Sequence, residues 1–224
     1  MKKFLFLLAI ILNFGFCEPY KPFDINKTII KTDGGGRLDL DNLHTSVDNI
    51  YKHSMYYPLH FDNKTDEKNA RDDLVTLLSI FDWLRENKKI EAMSAKEQFY
   101  INWQNTRLFV MAHNFDIGNF AQKADEGYEN LLKFDKKGEI RTEFAEFLAN
   151  SNRIQRAESE FKTAIDEGSD SAHYGLALAY MAQNKKDEAI KELEIYISKF
   201  PNDDSAKQML EIFSNAEVEF KKIK

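Results

Sequence analysis

A chain of 224 residues with 43% hydrophobic content is long enough to bury a core, and its net charge of −6 comes without any lysine- and arginine-rich block able to track a phosphate backbone. Nucleic acid is excluded as the expected partner. The single cysteine, Cys17, rules out an internal disulfide and with it the stapled scaffolds of small secreted proteins.

Met1, Lys2 and Lys3 precede an apolar run from Phe4 to Leu12 that ends in small and polar residues around Asn13 to Cys17. Residues 1–17 therefore read as a secretory signal peptide, and the run is too short to cross an apolar slab of roughly 30 Å, which takes about 20 apolar residues. The expected location is periplasmic or secreted, with no integral membrane span. Gly15 and Cys17 fit ordinary cleavage after Cys17; the alternative is a lipid anchor on Cys17 holding the chain to the outer membrane, against which stands the bulky Phe16. Loss of Lys2 and Lys3 leaves 29 basic residues of 31 against 37 acidic ones, so the exported chain carries −8.

Residues 18–65 hold three of the four prolines, three of the five histidines and the run Gly34-Gly35-Gly36, a composition that predicts a flexible or loosely docked segment. The glycine run continues Arg37-Leu38-Asp39-Leu40 and lacks the Gly-Lys-Ser/Thr of a phosphate loop, so it reads as a flexible turn. His44, His53, His60 and Asp62 lie at spacings that place no two histidines on adjacent helical turns, and no metal site is expected. Tyr56-Tyr57-Pro58-Leu59 with Phe61 forms an apolar patch able to occupy a groove elsewhere in the chain. Asp24-Ile25-Asn26-Lys27-Thr28 contains an Asn-x-Thr acceptor with an acid two residues before the asparagine, which resembles the longer acceptor of bacterial periplasmic oligosaccharyltransferases. Asn63-Lys64-Thr65 has Phe61 in the acidic position, so the expectation is modification of Asn26 alone.

From residue 66 to residue 224 the chain is rich in Ala, Glu, Lys and Leu and reads as helical throughout. Asp66 to about Asn87 and Ser94 to about Phe115 form two long helices, the second opened by the capping box Ser94-x-x-Glu97. Ala124, Tyr128, Leu131 and Leu132 make the stripe of a further helix. Over 138–169, Phe144, Ala145 and Leu148 are followed by Ala157, Phe161 and Ala164; over 170–203, Leu176, Ala177 and Tyr180 are followed by Ala189, Leu193 and Tyr196, with a polar turn at Gln183 to Lys186 and a stop at Pro201. Residues 204–222 carry Ala206, Met209, Leu210 and Phe213 on one face and read as a solvating capping helix.

Counted from Asp170, the residues Leu176, Ala177, Tyr180, Ala189, Leu193, Tyr196 and Pro201 fall on the signature positions of a repeat of about 34 residues, and the segment resembles the tetratricopeptide repeat family. His173 stands where that family often has Trp. The resemblance is strongest over 170–203, weaker over 138–169, and degenerate over about 104–137, where Gly118-Asn119-Phe120 lies one residue too far from Ala124. It implies an all-α fold, a solenoid of antiparallel helix pairs, in which Ala177 and Ala189 are small because two helices cross there. It also implies a concave groove lined by Thr142, Glu146 and Asn150 from one repeat and by Tyr174, Leu178 and Met181 from the next. Such a wall suits an apolar or basic peptide segment.

The exported chain has no cysteine nucleophile, and neither His113 nor His173 sits in a Ser/His/Asp or His-Glu-x-x-His pattern. The expected function is a non-catalytic adaptor or scaffold, without cofactor, that holds a segment of another envelope protein or of its own amino-terminal arm. The alternatives are a structural subunit packed between envelope proteins without a peptide groove, or an enzyme with its site in residues 18–65.

Overall fold

The computed structural model describes residues 19–33 and 35–215, mostly as helices. The expected signal peptide 1–17, Cys17, Gly34 and the end of the expected capping helix, 216–222, lie outside the described residues. The chain divides into two compact units between Leu131 and Leu132.

The unit before Leu132 opens with a helical turn, α1 (Ile25–Thr28), capped by Asp24, whose side chain accepts from the Asn26 amide at 3.0 Å. An antiparallel pair follows, β1 (Ile29–Thr32) and β2 (Gly35–Leu38), with Ile29 opposite Leu38 and Lys31 opposite Gly36. Gly35 and Gly36 are therefore paired strand residues, where composition predicts a flexible turn for the whole glycine run.

Helix α2 (Leu40–Ser54) starts at Asp39, whose carboxylate accepts from the Asn42 amide at 3.0 Å. The hydrogen bond from Asn42 holds that carboxyl below the usual range. Leu43, Val47 and Ile50 recur at helical spacing and are fully buried, with α2 packed against the helix Ala95–Asn114. Ahead of it the Tyr20 hydroxyl donates to Asp73 at 2.6 Å, the Phe23 amide donates to the same carboxylate at 2.8 Å, and Asn49 Nδ2 donates to the Lys21 carbonyl at 2.6 Å. The segment expected to be flexible or loosely docked is thus built into this unit from Tyr20 onward. The apolar stripe of α2 is what docks it.

Helix α3 (Lys64–Glu86) is capped by Asn63, and α4 (Ala95–Asn114) by Ser94 in a full capping box with Glu97. Helix α4 packs against α2, α3 and α5 (Ala121–Leu131), and the nine residues from Gln104 to Ala112 are all buried. Several of the polar groups in and beside this buried stretch find partners on the neighbouring elements. The Arg107 guanidinium lies 3.8 Å from the Trp103 ring centre and 4.4 Å from that of Tyr51, with Asp48 at 3.9 Å. Gln104 Nε2 lies 3.0 Å from His44 Nδ1. Asn114 Nδ2 donates to the carbonyls of Ser54 and Met55 at 2.8 and 3.0 Å.

The unit after Leu131 contains α6 (Glu139–Asn150), α7 (Ile154–Asp166), α8 (Ala172–Ala182), α9 (Lys186–Lys199) and α10 (Asp204–Ser214). Each packs on the next in chain order, and α6 also touches α8. The turns between α6 and α7 and between α8 and α9 have one geometry. Asn152 and Asn184 take φ of 61° and 59°, and the following amides, Arg153 and Lys185, donate back to Leu148 and Tyr180 at 2.8 and 2.9 Å. Asparagine tolerates this left-handed region better than most residues, and the six-to-one bond closes the preceding helix. Asp116 at φ 56° with the Ile117 amide donating to Ala112 at 2.9 Å ends α4 in the same way. Helix α4 therefore closes as α6 and α8 do, although the connection that follows it to Ala121 is longer.

Phe144, Ala145, Leu148, Ala157, Ala164, Ala177, Ala189 and Leu193 are all excluded from solvent, as are Ala206 and Phe213 on α10. Gly175 on α8 marks the closest approach: a methyl group built there would fall on the Phe161 ring of α7. Phe161 is itself only 1% exposed, so the ring has little room to retreat. Gly175→Ala is expected to lower unfolding stability by about 1–3 kcal/mol through overpacking, and Ala177→Leu by a similar amount. Lys191→Ala, on an exposed position of α9, changes it by less than about 0.5 kcal/mol. Urea unfolding of the three variants measures this; equal midpoints for all of them would contradict the close packing of α7, α8 and α9.

Candidate functional site

The six residues assigned to a groove divide into two groups. Thr142, Asn150 and Met181 are buried, with exposures of 6%, 6% and 3%. Thr142 is held inside the helix junction: its hydroxyl donates to the Gly138 carbonyl at 2.7 Å and pairs with Ser169 Oγ at 2.8 Å, which in turn lies 3.1 Å from Ser171 Oγ. Glu146, Tyr174 and Leu178 are partly exposed.

Tyr174 is not an isolated anchor. Its ring centre lies 5.2 Å from that of Tyr196, and Tyr196 lies 4.6 Å from Phe200, so three rings run from α8 across the end of α9. The Tyr196 hydroxyl donates to Asp203 Oδ2 at 3.0 Å, while Asp203 Oδ1 caps α10 by accepting from the Ala206 amide at 3.0 Å. Burial, and then the Asp203 carboxylate, push the Tyr196 phenol up to about 12, so it stays a neutral donor at physiological pH. Burial likewise raises Tyr174. Phe200 and Ile195 remain 38% and 40% exposed. The result is a half-buried aromatic edge joining α8, α9 and the start of α10, flanked by the partly exposed Leu178 one turn along α8 from Tyr174.

Tyr196 appears in the sequence as a core signature position and Phe200 only as the residue before Pro201, so neither is marked as surface by periodicity. The exposed end of the edge depends on Pro201 stopping α9, which leaves Phe200 as a cap residue with φ −123°.

The ionisable groups of this unit act as ties between helices. Arg141 on α6 donates through Nε and Nη2 to both oxygens of Glu167 at 2.8 Å and through Nη1 to Glu160 at 2.8 Å, a bidentate geometry that raises the guanidinium further above its ordinary value. His173 Nδ1 lies 2.6 Å from Glu192 Oε2, joining α8 to α9. Glu158 on α7 accepts from Lys162 at 2.6 Å, from Lys185 at 2.8 Å and from Gln183 Nε2 at 2.7 Å, fastening α7 to the α8–α9 turn. In the other unit His53 Nδ1 meets the His60 carbonyl at 2.8 Å and the His53 ring stacks on Phe61 at 5.0 Å. Phe61 also meets Tyr20 at 5.9 Å and Phe115 at 5.8 Å, so the ring expected to be free for a groove packs within its own unit.

Residues 148–211 match the family model described as tetratricopeptide repeat, which spans α7, α8, α9 and most of α10. No curated protein and no solved structure matches the chain.

Burial alone would push the Glu158 carboxyl up, but the three hydrogen bonds from Lys162, Lys185 and Gln183 outweigh it and hold the group down at about 2. Because the folded value lies below the unfolded one, the stabilisation is present above pH about 5 and is lost as the pH falls toward 2. Glu158→Gln removes it. Between pH 7 and pH 3 the wild-type chain is expected to lose on the order of 2 kcal/mol more unfolding stability than the Gln variant, measured by urea midpoints. Parallel losses in the two proteins would contradict the tie.

Proposed function

Because residues 148–211 belong to the tetratricopeptide repeat family, whose repeats serve protein interaction, we propose that this chain is a non-catalytic exported adaptor holding a segment of another envelope protein. The observation that carries this reading is the aromatic edge of Tyr174, Tyr196 and Phe200, continued by Leu178. Stacked helix pairs offer an extended surface without catalytic groups, and rigid, partly desolvated aromatic rings are the side chains that dominate binding energy. The neighbouring Asp203 and the half-buried Glu146 favour an apolar segment with a basic residue over an acidic one. The own-arm version of the occupant loses support, since Phe61 is engaged by Tyr20, His53 and Phe115.

Export rests on the leader 1–17, with release into the periplasm after Cys17 and a Cys17-linked outer-membrane anchor as the alternative. Asn26 is the glycosylation site of the exported chain. It is exposed, but Thr28 of the same acceptor is fully buried once α1 forms, so the sugar is attached before this turn folds. In a host with the transferase, Asn26→Gln removes a sugar-sized mass from the intact chain and Asn63→Gln does not; an unmodified wild-type mass would dismiss the site.

A photo-crosslinking residue in place of Leu178 tests the adaptor reading in the envelope of the source cell. One dominant crosslinked protein is expected, and it should vanish when Phe200→Glu is added to a chain whose circular dichroism is unchanged, because the new carboxylate faces an apolar partner. Identical crosslinks with and without Phe200→Glu would favour the structural subunit without a peptide groove.

A further inference from the structure

The unit before Leu132 contains an open cavity of about 500 Å³, within the range of small-molecule sites. Its apolar wall is the turn Tyr57, Pro58 and Leu59 together with Phe115, and that wall is preformed. Asn114, bonded to the Ser54 and Met55 carbonyls, ties the turn to the end of α4, and Phe115 is only 5% exposed. The first turns of α3 add Lys64, Lys68 and Arg71 to the lining.

Arg71 is held in place with most of its binding capacity unused. Its Nη1 donates to the Phe115 carbonyl at 2.6 Å, which anchors the guanidinium at the carboxy-terminal end of α4, where both residues line the cavity. A guanidinium has five N–H donors in a planar fork, so the remaining donors are available to a planar, two-oxygen acceptor. Lys64 is exposed and takes part in no ion pair among the described residues. Lys68 also lines the cavity but is shared with Asp72 at 2.6 Å. Glu67 and Asp116 line it as well and offset part of this charge, so the site suits a single negative charge rather than a phosphate-dense ligand.

We propose that this cavity binds a small monoanionic carboxylate with an apolar body: the carboxylate on the Arg71 fork beside Lys64, the body against Tyr57, Pro58, Leu59 and Phe115. Charge and shape are both required. A neutral amide of the same outline offers the fork one uncharged acceptor in place of two charged oxygens, and an inorganic anion leaves the apolar wall wet.

The test uses the full chain with 3-phenylpropionate and its neutral analogue 3-phenylpropanamide as probes, followed by calorimetric titration. The acid is expected to bind, the amide about tenfold more weakly or worse, and binding of the acid should weaken with added salt. Arg71→Lys keeps the charge and loses the fork, but it also disturbs the Phe115 carbonyl. Lys64→Glu is therefore the second variant. It sits at the first residue of α3, where an acid is compatible with the helix dipole, so its melting curve should match wild type while the acid binds at least several-fold more weakly. No binding of the acid, equal binding of acid and amide, or unchanged binding in Lys64→Glu would each overturn the proposal.

Discussion

A neighbour's ring can lie against a helix backbone only where that helix gives up its own side chain, and the unit after Leu131 depends on that concession at Gly175, under the Phe161 ring. The Phe161 ring fills the space that any Cβ at Gly175 would take, and Ala177 and Ala189 are fully buried on α8 and α9. With bulk at these positions α8 would stand off from α7, and the polar ties that span the same helices would stretch. Glu158 reaches Gln183 and Lys185, and His173 reaches Glu192, at distances of 2.6 to 2.8 Å that leave little slack. Small residues set the spacing, and ionic groups then lock the register.

The same spacing determines what is left at the surface. When α9 is drawn against α8 and stopped at Pro201, Tyr196 is half-buried between Tyr174 and Phe200 and its hydroxyl is taken by Asp203, which caps α10. An aromatic edge fixed at three points has little conformational freedom to lose on binding, a property expected of an interaction surface. Arg141, Glu158 and His173 are spent on ties between helices, which keeps the elements beneath the edge in place.

Much of this is legible in the residues themselves. Leu176, Ala177, Tyr180, Ala189, Leu193, Tyr196 and Pro201 announce the α8–α9 pair because a helix crossing constrains size as well as polarity, and Ser94 with Glu97 announces the start of α4 because a cap is a local interaction. Groove membership is harder to read. The resemblance assigns Thr142 and Met181 to a groove, yet here Thr142 is claimed by Gly138 and Ser169 and Met181 is buried, contacts that depend on the particular junction. In residues 18–65 the prolines and glycines outweigh the Leu43, Val47 and Ile50 stripe of α2 and suggest a looser segment than the one that forms. What composition cannot report is that Asp73, some 50 residues on, receives Tyr20 and Phe23. Gly35 and Gly36 in a paired strand have the same origin: backbone pairing with Thr32 and Lys31 leaves no mark in a run of glycines.

A double-mutant cycle across the Gly175–Phe161 contact tests the packing claim most directly, with Gly175→Ala, Phe161→Leu and the pair compared by urea unfolding. If the ring occupies the space of the missing Cβ, the smaller leucine side chain at position 161 relieves the added methyl group, and the pair costs less than the sum of the single changes by about 1 kcal/mol or more. Additive losses would mean that the two positions do not meet, and the close approach of α7 and α8 would have to be abandoned.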